Sequence, residues 1–140
     1  MIRYMLDTNI ASYVIKGNVP FVRERLASIP MGSVAVSAVT QAELLFGLAK
    51  KGNPPALTSL VSEFLIRVDV LPWDKHVTIT YGVLRASCEA AGVSLGTLDM
   101  MIASHAVAVE AILVTGDLAF TRVPDGLHVE NWTKKKTRKD

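Results

Sequence analysis

"YMLDTNI", residues 4–10, poses the question on which the fold turns: an apolar run ends on Asp7, Thr8 and Asn9 rather than on a Gly or Pro turn. The run Ile2 to Leu6 has the length and composition of a buried strand bounded by a polar break. Asp7 then falls at that strand's C-terminal end, and Asn9 to Lys16 continue as a short helix.

Working outward, strands and helices alternate. "KGNVP" breaks the first helix before a second, Phe21 to Ala27, and "SVAVSAV" (33–39) is β-branched and apolar, a second buried strand. Thr40 opens the helical run "TQAELLFGLAK", stopped by "KGNPP" (51–55). Leu57, Leu60, Val61, Phe64 and Leu65 follow i, i+3, i+4, i+7, i+8 spacing, which predicts an amphipathic helix, and "RVDVL" is a third strand. After Pro72, Val77, Tyr81, Leu84, Cys88 and Ala91 mark one face of a long helix ending at Gly92. "LGTLDMMIASHAVAVE" is apolar nearly all round and predicts a central helix; "AILVT" is the strand after it, and "LHVEN" is the candidate for a last one. The alternation predicts an α/β fold with a central, mostly parallel sheet flanked by helices.

The chain has 140 residues, half of them hydrophobic, enough for one core without staples. No apolar run reaches the roughly 18 to 20 residues of a membrane span, because Glu110 interrupts the longest, and the N-terminus lacks a secretory pattern. A cytoplasmic protein without membrane contact is expected. The single Cys88 excludes an internal disulfide and a multi-cysteine zinc site, and reads as a small buried hydrophobe. His76, His105 and His128 lack metal-ligand spacing and read as structural.

The net charge of +2 is unevenly spread: residues 134–140, "KKKTRKD", carry five bases and one acid, so residues 1–133 hold ten bases and twelve acids, a net −2. A domain of residues 1–133 with a basic tail at 134–140 is expected. Such a run attracts polyanions, and it also serves as a solubilising terminus.

Four acids occupy equivalent places. Asp7 follows the first strand, Glu43 lies in the first turn of the helix after the second, Asp99 lies near the start of the apolar helix, and Asp117 follows "ILVT". Each also has a local explanation: Thr40-x-x-Glu43 as a capping box, Asp99 at a helix N-terminus, Asp7 and Asp117 as turn formers. In a parallel sheet, however, all these positions share the edge where open α/β folds bind ligands. Carboxylates gathered there repel one another unless a cation joins them, and an all-oxygen set suits Mg2+ or Mn2+. Asp7 would hold such an ion from a rigid central strand, with Thr8 and Asn9 as supporting polar groups. A metal–carboxylate cluster suits activation of water for attack on phosphorus.

The chain resembles the PIN-domain ribonucleases, specifically the VapC-type toxins of bacterial toxin–antitoxin pairs. The resemblance runs nearly end to end, through "MLDTNI", "SAVTQAELLFGLAK", "YGVLRASCEAAGVSLGTLDMMIASHA", "LVTGDLAF" and "RVPDGLHVENW". It implies that Asp7, Glu43 and Asp99 are acidic metal-binding and catalytic positions, with Thr8, Asn9 and Thr115 as supporting polar groups. Asp117 corresponds to a fourth metal-site acid of many PIN domains, but "TGDLAF" is one residue shorter than the Asn-rich turn of close relatives, so a turn role stays open. The resemblance further implies a Mg2+- or Mn2+-dependent endoribonuclease that inhibits translation by cutting a structured RNA, with tRNA (notably the initiator tRNA anticodon loop) or a ribosomal RNA loop as target. A VapB-type antitoxin whose C-terminal segment fills the active-site groove, a homodimer, and promoter DNA bound indirectly through the antitoxin are the implied partners.

RNA binding needs positive charge, for which Arg23, Arg25, Arg85, Arg122 and the tail are available, each also explicable as solvated surface charge. A non-catalytic PIN-like scaffold would be expected to lose ligand acids, which this chain retains. Haloacid-dehalogenase-type phosphatases place a second Asp two residues after the first, where this chain has Asn9, and receiver-like domains need a late Lys that "LVTGD" lacks.

Overall fold

In the computed structural model, which describes residues 2–124 and 126–134, five parallel strands form one sheet in the order β3-β2-β1-β4-β5. The strands are β1 (Tyr4–Leu6), β2 (Val34–Ser37), β3 (Asp69–Leu71), β4 (Ile112–Val114) and β5 (His128–Glu130). Helices α1 (Thr8–Lys16) and α2 (Pro20–Ala27) join β1 to β2, and α3 (Ala38–Lys50) and α4 (Pro55–Arg67) join β2 to β3. Helices α5 (Lys75–Ala90) and α6 (Thr97–Ala108) then bring the chain back to β4, and a 3-10 segment, Leu118–Arg122, precedes β5. The α/β class expected from the alternation is the one observed, with a wholly parallel sheet.

The chain steps outward from β1 through β2 to β3, then returns to the other side of β1 for β4. Right-handed crossovers running in opposite directions put their helices on opposite faces. Two cores record this. Leu6, Val36 and Val114 pack with Ile10, Leu44 and Phe64, whereas Met5 and Leu113 pack with Leu84, Met100 and Ile102. Neighbours in sequence such as Met5 and Leu6 therefore serve opposite cores, as the two-residue period of a strand requires. Each such fully buried side chain contributes about 1.5–3 kcal/mol relative to exposure. The reversal at β1 and β4 opens a crevice outside their C-terminal ends.

Local chemistry shifts several boundaries from those expected. β1 begins at Tyr4 rather than Ile2, and α1 begins at Thr8 because the Asp7 carboxylate caps it, accepting from the Ile10 N–H at 2.8 Å. α3 begins at Ala38, two residues before Thr40, because Ser37 is its cap and its hydroxyl accepts from the Val39 N–H at 3.1 Å. The expected capping box at Thr40 and Glu43 is therefore absent, and Thr40 lies buried inside α3. α1 stops at Gly17, in the left-handed region (φ 67°), where a Cβ would collide with the Arg23 guanidinium.

Helix α6 is central as its composition predicts, with Met100, Ile102, Ala103, Ser104, His105 and Ala106 buried. Cys88 is buried and free. His105 is structural: its Nδ1 lies 2.8 Å from the Ser37 hydroxyl, joining α6 to the cap of α3. Among the described residues no helix is long and apolar enough to cross a membrane. The basic tail, apart from an exposed Lys134, lies outside the described residues.

Candidate active site

The crevice is built first from strand ends. The Asp7 N–H donates to the Val114 carbonyl at 3.0 Å, extending the β1–β4 register by one residue and bringing Asp7 beside Thr115. Thr115 is held in turn by its N–H, which donates to the Glu130 carbonyl of β5 at 3.0 Å. Its hydroxyl accepts from the Asp117 N–H at 3.0 Å, and Asp117 Oδ1 accepts from the Ala119 N–H at 2.9 Å to cap the 3-10 segment. Asp117 is thus both a turn former and an exposed carboxylate at the crevice.

Glu43 arrives from α3 and is held across the crevice by α1: the Thr8 hydroxyl donates to Glu43 Oε1 at 2.6 Å. Thr8 Oγ1 also lies 3.3 Å from Thr40 Oγ1. Asp99 stands in the first turn of α6, where the helix dipole favours a negative charge. The structure therefore gathers Asp7, Glu43, Asp99 and Asp117, drawn from four separate segments, at one edge of the sheet.

These groups interact through their charge. Asp7 is 4% exposed, and burial pushes its carboxyl above the usual carboxylate range; the neighbouring Thr115 hydroxyl and the hydrogen bond from the Ile10 N–H oppose the rise, and the charges of Asp99 and Asp117 add to it. Asp99 is raised as well, first by burial and then by the charges of Glu43 and Asp117. Among the described residues the ion pairs are Arg3–Asp69, Arg25–Glu130 and Arg85–Glu89, so none of the described cations pairs with any of the four acids.

Negative charge that is partly buried, mutually repelling and unpaired fits a cation. Among the described residues no three His, Cys, Asp or Glu side chains stand close enough to cage an ion as they are. Mg2+ does not require such a cage, because it keeps several waters and takes one or two direct carboxylates. The donor set, oxygen throughout, fits Mg2+ or Mn2+, with Asp7 buried, Asp99 and Glu43 half-buried and Asp117 exposed.

Next to the acids lies a cavity of about 320 Å³ lined by Asn9, Tyr13, Val19, Gly116, Asp117 and Thr133. Asn9 thus contributes to a cavity wall, while Thr8, its neighbour, serves Glu43. The sequence reading missed Tyr13, Val19 and Thr133; the i, i+4 spacing of Asn9 and Tyr13 on α1 is the signal that links them. Thr40, expected as a cap, is instead a polar residue fully buried beside Thr8. Of the four arginines noted, Arg25 is committed to Glu130 (3.1 Å) and to the face of Trp132, and Arg85 to Glu89 and Tyr81. Arg23 donates to the Gly17 carbonyl at 3.2 Å, two residues from the cavity-lining Val19.

A wholly parallel sheet with this helix arrangement, and acids from four segments meeting at the strand C-termini, defines an α/β protein with an acidic crevice. Residues 4–126 match the model of the PIN domain, and the chain belongs to that family. It is 37% identical over 134 residues to the tRNA(fMet)-specific endonuclease VapC of Shigella flexneri, covering 95% of this chain and all of that one. Its fold superposes on VapBC2 from Rickettsia felis, solved bound to a DNA fragment from the promoter, with a TM-score of 0.86 at 36% identity, covering 94% of this chain and 99% of that one. DNA-bound VapBC from Salmonella typhimurium matches with the same TM-score at 34% identity and the same coverage. Within the PIN family the chain therefore groups with the VapC ribonucleases.

Proposed function

We propose that the chain is the toxin of a VapBC-type toxin–antitoxin pair, a Mg2+- or Mn2+-dependent endoribonuclease acting in the cytoplasm on a structured RNA, with initiator tRNA as the target. The observation that carries the reading is the convergence of Asp7, Glu43, Asp99 and Asp117 on one crevice, with no cation among the described residues paired to them. The name and near-complete overlap of the Shigella flexneri relative support the choice of RNA. A ribosomal RNA loop is the alternative target.

In this reading Asp7, Asp99, Glu43 and Asp117 would hold the ion, Asp7 and Asp99 being the two whose carboxyls burial raises. When bound, the ion supplies a water of lowered pKa and offsets charge on the phosphoryl oxygens. Glu43, restrained by Thr8, is placed to accept a proton from the attacking water, and the rigid strand ends holding Asp7 and Thr115 limit its wandering. Arg23 and Arg122, outside the ion pairs above, and the tail at 134–140 are the proposed phosphate contacts, with residues 1–133 as the nuclease domain. A VapB-type antitoxin would restrain the activity, a homodimer is the assembly, and promoter DNA is reached only through the antitoxin; the similarity to the DNA-bound VapBC complexes of Rickettsia felis and Salmonella typhimurium supports this partner.

The test is a comparison of purified initiator tRNA, an elongator tRNA and ribosomal RNA as substrates for the antitoxin-free protein in Mg2+. Single-site cleavage of initiator tRNA alone is expected. Cleavage confined to ribosomal RNA would replace the target, and cleavage of none would remove the nuclease reading.

A further inference from the structure

The cavity beside the acids is not accounted for by metal binding or by proton transfer. Its walls are of two kinds: Tyr13 and Val19 are apolar surfaces, and Asn9, Asp117 and Thr133 are polar. Its volume, about 320 Å³, falls at the lower end of the range of small-ligand sites. The Tyr13 ring joins neither of the aromatic pairs among the described residues, which are Tyr4–Trp132 and Trp73–Tyr81. Asn9, one turn earlier on α1, is exposed, and none of the side-chain hydrogen bonds among the described residues involves its amide.

The charge on the rim narrows what fits. Asp117 would repel a phosphate, so the cavity suits the neutral part of a nucleotide whose phosphate lies toward the acids and their cation. A flat heterocycle also suits an aromatic face with a donor–acceptor amide at its edge, the arrangement by which proteins hold unpaired RNA bases. The far wall is close-fitting: a Cβ at Gly116 would come within 3.1 Å of Thr133 Cγ2, so glycine lets the segment after β5 close the cavity. Thr133 is itself fixed, its N–H and hydroxyl donating to Asn131 Oδ1 at 2.8 and 2.6 Å.

Resting on the nuclease reading above, we propose that this cavity is a base pocket: an unpaired nucleobase flanking the cut phosphate stacks on Tyr13 with its edge on the Asn9 amide, and this contact helps select the cleavage site. Tyr13 and Asn9 are then specificity residues, and the substrate must present its cut site in a single-stranded loop.

The experiment starts from the cut site mapped by sequencing after wild-type protein acts on total bacterial RNA. Oligoribonucleotides spanning that site, each carrying one 2-aminopurine, are titrated with the uncleaving Asp7→Asn protein. Fluorescence quenching is expected at one position flanking the cut. It should persist with Tyr13→Phe added and be relieved by Tyr13→Leu, which also weakens binding about fivefold to a hundredfold, the usual weight of one stacked base. An abasic nucleotide at that position should weaken binding to the Tyr13 protein by a similar factor and leave binding to the Tyr13→Leu protein unchanged. If Asp7-dependent cleavage occurs but no position responds to Tyr13→Leu, the base pocket is refuted and the nuclease reading stands. Absence of any Asp7-dependent cut refutes both. If Tyr13→Leu does not fold, the abasic series on the Tyr13 protein decides: uniform binding at every position overturns the proposal. Loss of antitoxin binding by Tyr13→Leu with RNA binding intact would likewise overturn it in favour of a peptide pocket.

Discussion

The hydroxyl of Thr8, the first residue of α1, donates to Oε1 of Glu43, one turn into α3, at 2.6 Å. A side chain on a helix start thus fixes a carboxylate from a helix on the neighbouring strand. Hydrogen bonds to charged groups are the stronger ones, and this one restrains a long side chain with several rotatable bonds. Thr8→Val, which keeps the shape and removes the donor, is expected to lower kcat roughly tenfold, about 1.4 kcal/mol of barrier, with little change in the unfolding midpoint. Thr8→Ser should retain most of the activity; equal rates for all three would remove the role assigned to the bond.

Asp7 has two functions that substitution can separate. Its carboxylate caps α1 and carries a buried charge. Asp7→Ala loses both and is expected to cost about 1 kcal/mol through the cap. Asp7→Asn keeps an oxygen for the Ile10 N–H while removing the charge, so it should be as stable as wild type or more so in chelator. Thermal unfolding of the two variants checks this, and both should be inactive.

The acid cluster also sets a pH dependence for the metal-free protein. Because burial and neighbouring acids raise Asp7 and Asp99, the folded chain holds these protons more tightly than the unfolded one. Their contribution to stability therefore rises as pH falls from neutral toward the ordinary Asp value of about 3.9, and their ionisation is a penalty above the raised values. Asp99→Asn should melt a few degrees above wild type at pH 8 in chelator, with the gap closing by about pH 4. Adding Mg2+ should raise the wild-type midpoint more than that of the variant.

His105 works in the opposite direction. Burial lowers its pKa, with Asp74 opposing, so the folded protein keeps it neutral while the unfolded chain protonates it near the ordinary value of about 6.5. Its contribution is present above that value and is lost as pH falls through it toward the lowered one. His105→Gln should flatten this loss in urea unfolding as pH falls below about 6.5, leaving the opposing rise from the carboxylates exposed.

Trp132 anchors the end of the described chain: it is 2% exposed, its Nε1 donates to Glu130 at 3.0 Å, and Tyr4 and Arg25 flank its ring. Ending the chain at Thr133 keeps this anchor and removes the basic tail. The unfolding midpoint should not change, while RNA affinity should fall severalfold at low salt and converge with wild type at about 0.5 M. Unchanged affinity at low salt would remove the tail from RNA binding.

Much of this was legible because parallel sheets write themselves as continuous apolar runs, and "SVAVSAV", "AILVT" and "YML" are such runs. The common place of Asp7, Glu43, Asp99 and Asp117 followed from topology alone, since strand ends and the starts of the returning helices share one edge. The start of α3 did not follow, because Ser37 and Thr40 are both good caps and only the buried bond from Ser37 to His105, 68 positions away, decides between them. The cavity was equally hidden. Thr133 reaches Gly116 only after β5 has paired with β4, a contact that no local pattern encodes.

The most direct test of the acid cluster as a metal-dependent ribonuclease centre is sequencing of RNA ends after total bacterial RNA meets purified, antitoxin-free protein. The arms are wild type with Mg2+, wild type with chelator, and Asp7→Asn with Mg2+. New ends at one RNA site, present only in the first arm, are predicted. Identical end profiles for wild type and Asp7→Asn, across Mg2+ and Mn2+, would contradict the account.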